Sequence, residues 1–90
     1  MNFMPVEENQ RKEILKILET IVEDITGSDN VTLNPTMTAN DVEGWDSLSH
    51  VQILYECELK WNIRLTLQEL DSLNNIGDLV EVIKKSISMK

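Results

Sequence analysis

The chain has 90 residues, 41% of them hydrophobic, and a formal net charge of −8. That length accommodates one compact domain with an economical core, and the apolar content is enough to fill it. The charge argues against nucleic acid and anionic membrane surfaces as partners, because proteins that bind phosphate backbones bring Lys and Arg to them; a lone cysteine, Cys57, excludes an intrachain disulfide and a cysteine-rich zinc site.

Met1 to Glu8 has neither the basic start nor the apolar run of a signal peptide, and no later stretch approaches the roughly 20 apolar residues of a membrane span. A cytoplasmic chain without membrane insertion is expected. Ile14, Leu15, Ile17, Leu18, Ile21, Val22 and Ile25 recur at helical spacing, which predicts a first helix over about 6–26. Pro5 is allowable in its first turn and Gly27 suits its end.

The stretch from Gly27 to Asp46 is rich in Asn, Thr, Asp and Gly and is punctuated by Asn34-Pro35. Val31, Leu33 and Met37 are its candidate hydrophobic anchors. Loops longer than about 12–15 residues are usually functional or disordered, so this one marks where function is to be sought. A second helix is predicted from Asp46-Ser47 to about Lys60. Thr66 with Glu69 three residues later has capping-box form and opens a short third helix that stops near Asn74. Asn75 can cap a fourth helix, in which Ile76, Leu79, Val80, Ile83 and Ile87 form one stripe and Lys84 and Lys85 suit the C-terminal end of the dipole. The expected fold is all-α: three longer helices, one short one, and a long loop between the first two.

The second helix has two apolar faces. At about 100° per residue, Ile53, Leu54, Cys57 and Trp61 form one stripe, while Leu48, Val51, Tyr55 and Leu59 fall on roughly the opposite side with Gln52 and Glu58 beside them. Either the helix is wrapped on both sides, or the second stripe is a docking face for a partner. Charge bears on the choice: no Lys or Arg occurs between Lys16 and Lys60, whereas nine acids do, including Glu43, Glu56 and Glu58. Such a surface steers toward basic partners.

Asp-Ser-Leu occurs twice, at Asp46-Ser47-Leu48 and Asp71-Ser72-Leu73. Both can be capping chemistry at a helix start, and Ser72 is read as that alone. Ser47 differs: it ends the acidic loop at a helix N-terminus, where dipole and free N–H groups favour an added phosphate. Gly-x-Ser-x-Gly, P-loop and EF-hand patterns are absent, and His50 does not define a Ser-His pair. Ser47 therefore reads as a modification site rather than a nucleophile, His50 as a surface residue, and Cys57, Met37 and Trp61 as packing residues.

Gly44-Trp45-Asp46-Ser47-Leu48-Ser49-His50-Val51, followed by Trp61, Leu65 and Ile76 at fourteen, eighteen and twenty-nine residues past the serine, resembles an acyl carrier protein from about Gly44 to Ile87. The resemblance implies one carrier domain over residues 1–90, helical over about 6–87, that acts as a monomer. It implies that a magnesium-dependent phosphopantetheinyl transferase attaches 4′-phosphopantetheine from coenzyme A to Ser47, within the motif residues Asp46 and Leu48. The arm's thiol would carry acyl or aminoacyl groups between loading, condensing or transferring enzymes of fatty acid, polyketide or other specialised biosynthesis. The carrier itself is not catalytic and holds no metal. The positions Leu48, Val51 and Tyr55 then face partner enzymes, with Gln52, Glu56, Glu58 and Leu59 completing the docking surface. Gln52 and Leu59 depart from the acids that fatty-acid-synthesis carriers commonly place on this helix, and Trp45 resembles stand-alone carriers of specialised pathways and alanyl carriers. An unmodified acidic helical adaptor for basic proteins is the alternative reading.

Overall fold

The computed structural model describes residues 6–89, with side chains from residue 8 onward, so the expectation for Pro5 lies outside the described residues. Helix α1 spans Val6–Thr26 and buries Ile14, Leu18, Ile21 and Val22, the face its spacing marks as apolar. It ends where Gly27, at φ +77°, donates its N–H to Glu23 O at 2.9 Å, a left-handed position that glycine occupies without strain.

The long loop is tied down rather than loose. Two acids of α1 reach out to it: Glu23 Oε2 accepts the Val31 N–H and Glu19 Oε2 accepts the Leu33 N–H, both at 2.8 Å. Farther along, Pro35 O accepts the Gly77 N–H at 2.9 Å and Met37 O accepts the Ile76 N–H at 2.8 Å, so loop carbonyls satisfy donors at the start of the last helix. Leu33 is buried as expected, Val31 and Met37 are half-buried, and two further anchors, Val42 and Trp45, are buried. Between Met37 and Val42 lies a single 3-10 turn, Ala39–Asp41, closed by the Thr38 N–H on Asp41 Oδ2 at 2.9 Å.

Helix α2 spans Ser47–Trp61 and buries Ile53, Leu54 and Cys57, with Trp61 half-buried against the same core. Asn62 ends it in the left-handed region. Helix α3, Leu67–Asp71, opens on the expected capping box: Thr66 Oγ1 accepts the Glu69 N–H at 3.2 Å and Glu69 Oε1 accepts the Thr66 N–H at 3.0 Å. It stops three residues earlier than predicted. Ser72 occupies its C-terminal cap, with its hydroxyl donating to Glu69 O at 2.8 Å, which corrects the expectation that Ser72 serves a helix start. Helix α4, Ile76–Ser88, is capped by Asn75 Oδ1 on the Asp78 N–H at 2.8 Å and buries Ile76, Leu79, Val80 and Ile83.

The described residues are thus all helix, turn and loop. Helix α1 packs on both α2 and α4, and α2 also touches α4, so the buried residues join into one hydrophobic cluster. At the surface the Arg11 guanidinium grips both carboxylate oxygens of Glu81, linking α1 to α4. That bond holds the Glu81 carboxyl below its ordinary pKa.

Candidate functional site

Three local devices fix the turn that leads into α2. Gly44 has φ +85°, and a Cβ there would lie 2.9 Å from Thr26 Cβ, so only glycine lets the loop cross the end of α1 this closely. Next, Asp46 caps the helix: its Oδ1 accepts the N–H groups of Leu48 at 3.1 Å and Ser49 at 2.9 Å. In return, Ser49 Oγ accepts the Asp46 N–H at 3.0 Å, and its one proton faces both Gly44 O at 2.5 Å and Asp46 Oδ1 at 2.7 Å. The Ser49 N–H first, and then its hydroxyl, lower the Asp46 pKa. Finally, the indole Nε1–H of buried Trp45 donates to His50 Nδ1 at 3.0 Å.

Ser47, the first residue of α2, is exposed within this framework. Its neighbours are engaged elsewhere. Asp46 and Ser49 hold each other and the backbone, and His50 Nδ1 faces the indole, so no activating base is directed at Ser47 through that nitrogen. Contrary to expectation, the free N–H groups that would favour a phosphate are partly used, because Asp46 takes those of Leu48 and Ser49. The positive end of the helix dipole remains. His50 also differs from expectation, being half-buried against Trp45 rather than a free surface residue.

Beyond Ser47, the second stripe of α2 is bare. Leu48, Val51, Tyr55 and Leu59 are 70%, 64%, 57% and 59% exposed, whereas Ile53 and Cys57 on the other side are fully buried. A helix wrapped on both sides cannot show this contrast. Gln52 and Glu56 are exposed beside the stripe. Glu58 is not available in the same way: it is half-buried, and its Oε2 accepts the Leu65 N–H at 2.9 Å. Cys57 is inert packing, with burial first and the charges of Glu56 and Glu58 second pushing its thiol pKa up to about 12. No group of residues able to hold a metal ion occurs among the described residues, nor is any described helix long and apolar enough to cross a membrane.

The Ser49 and Trp45–His50 contacts are not marked by any ordinary sequence signature. Asp46-x-x-Ser49 has capping-box spacing, but Ser replaces the usual Glu or Gln at the third helical position, so the ordinary signature is absent.

The described residues thus form a small helical bundle that leaves one face of α2 exposed and heads it with an exposed serine. No family model matches the chain. It is, however, 32% identical over 75 residues to the meromycolate extension acyl carrier protein of Mycolicibacterium aurum, covering 83% of this chain and 77% of that one. An acyl carrier protein of Acidothermus cellulolyticus is 30% identical over 73 residues, covering 81% and 87% of the two chains. Among solved structures, the holo acyl carrier protein of Geobacter metallireducens superposes with a TM-score of 0.78 at 33% identity, covering 84% of this chain and 87% of that one. The chain belongs to the acyl carrier protein family, and its function is that of an acyl carrier.

Proposed function

We propose that Ser47 is the attachment point for 4′-phosphopantetheine, transferred from coenzyme A by a phosphopantetheinyl transferase, and that residues 1–90 act as one monomeric, non-catalytic carrier unit in the cytoplasm. The observation that carries this reading is the exposed Ser47 at the head of the bare Leu48, Val51, Tyr55 and Leu59 stripe. The residues present suit the group. Ser47 is exposed, the phosphodiester would sit at the positive end of α2, and the adjacent carboxylate, Asp46, is drawn onto the N–H groups of Leu48 and Ser49. When bound, the group supplies a thiol on a flexible tether, which carries cargo as a thioester and raises its effective concentration at a docked enzyme.

The chain's own residues supply recognition. Leu48, Val51, Tyr55 and Leu59 offer partners an apolar strip, with Gln52 and Glu56 at its polar rim. Loading, condensing or transferring enzymes with basic patches are the matching partners, and attraction to them weakens as salt screens it. The relatives named for meromycolate extension favour an acyl over an aminoacyl cargo, within fatty acid, polyketide or related biosynthesis. Incubation with coenzyme A, magnesium and a broad-specificity transferase is expected to add the mass of one phosphopantetheine. An adduct that persists in Ser47→Ala overturns Ser47 as the attachment point, and none with several transferases overturns the modification and leaves the unmodified adaptor.

A further inference from the structure

We propose that His50 is a positioning residue for the modification of Ser47, acting through a hydrogen-bonded staple with Trp45; this rests on the carrier reading above. Trp45 is the residue before the cap of α2 and His50 is the fourth residue of the helix. Those two positions commonly hold an apolar pair that sets the angle at which the chain enters a helix. Here the pair is polar. The indole Nε1–H donates to His50 Nδ1 at 3.0 Å, and the ring centroids lie 6.1 Å apart at a 39° tilt.

An apolar staple fills space without direction, whereas a hydrogen bond fixes the orientation of both rings. It also fixes the tautomer: with Nδ1 accepting, the neutral imidazole carries its proton on Nε2. Trp45 is buried and therefore anchors the loop end to the core, while His50 belongs to the second turn of α2. Ser47 lies on the chain between them. The staple adds to the Gly44–Thr26 approach and the Asp46–Ser49 box, and the three together hold the serine in one presentation before an enzyme docks.

The consequence is kinetic. If the competent presentation becomes only a fraction of the population, apparent affinity for the transferase falls by that fraction while the docked complex reacts as before. Loss of the staple therefore raises KM for the carrier about three- to tenfold, the range that one intramolecular hydrogen bond controls, and leaves kcat within about twofold.

The test measures transferase kinetics, with coenzyme A and magnesium, on the full chain and on His50→Asn, His50→Leu, Trp45→Phe and the double variant Trp45→Phe/His50→Leu. In His50→Asn the amide oxygen takes the place of Nδ1 as acceptor, and KM is expected to stay near the parent value. His50→Leu and Trp45→Phe each raise it, and the double variant is no worse than either, because both remove the same bond. The Trp45 indole N–H resonance should keep its hydrogen-bonded shift in His50→Asn and lose it in His50→Leu. The proposal is overturned if His50→Leu matches the parent chain, if His50→Asn is as poor as His50→Leu, or if the two single effects add. Should His50→Leu unfold, Trp45→Phe with unchanged KM overturns it equally. No modification of the parent chain sinks the carrier reading itself, and this proposal with it.

Discussion

Glu58 Oε2 accepts the backbone N–H of Leu65 at 2.9 Å, tying the segment before α3 to the last turn of α2. Leu65 is itself buried, so its N–H would lack a partner if the carboxylate were removed. Glu58→Ala is expected to lower stability by about 1–3 kcal/mol, the cost of leaving a buried donor unsatisfied. Chemical denaturation measures it. Glu56→Ala, on an exposed residue of the same helix, serves as the control, and a stability loss as large as that of Glu58→Ala would contradict the structural role given to Glu58.

Leu48 and Val51 should behave in the opposite way. Both are well over half exposed, so Leu48→Glu and Val51→Glu are expected to change stability by no more than about 0.5 kcal/mol. Modification of Ser47 or transfer of its cargo should nevertheless fall about tenfold or more, as for a residue central to an interface. A collapsed melting temperature in either variant would place the stripe in the core instead.

Gly44→Ala tests the approach that positions Ser47. The new Cβ would meet Thr26 Cβ at 2.9 Å, and the residue would sit at a positive φ that costs a non-glycine residue about 1–2 kcal/mol. A loss of at least that size is expected in thermal or denaturant unfolding. Thr26→Ser, which removes the methyl group that lies 3.2 Å from the same point, should recover part of it.

Acid should lower the stability of the protein through three carboxylates whose pKa values are lowered in the fold: Asp46 by Ser49, Glu69 by Thr66, and Glu81 by Arg11. A group with a lowered folded pKa adds stability above its unfolded value, about 3.9 for Asp and 4.3 for Glu, and loses it as pH falls through the folded value. Melting temperature is therefore expected to drop as pH is taken below about 4. Ser49→Ala, which removes the hydroxyl's bond to the Asp46 carboxylate, should weaken that dependence on the acid side.

Cys57 should resist alkylation at pH 8 in the folded chain and react on denaturation, because burial both hides the thiol and suppresses the thiolate. Intact mass after iodoacetamide treatment, with and without denaturant, reads this directly.

Much of this molecule is written locally. The periodicity of Ile14 to Ile25 and of Ile76 to Ile87, the caps at Asp46, Thr66 and Asn75, and the two stripes of α2 all depend on residues within a few positions of one another, and each appears where its spacing places it. The same local pattern marks Ser47 as the residue to examine, and the net charge of −8 points away from phosphate-rich partners from the outset. What no local pattern contains is the destination of a long side chain. Glu19, Glu23 and Glu58 count toward the acidic excess in sequence, yet each accepts a backbone N–H from a segment seven to fourteen residues away and so holds the fold together. Only the assembled chain also decides that one stripe of α2 stays bare, since no neighbour among the described residues covers it, and that Trp45 meets His50 across the turn bearing Ser47. Those outcomes depend on where the whole backbone puts each partner, which spacing along the chain does not specify.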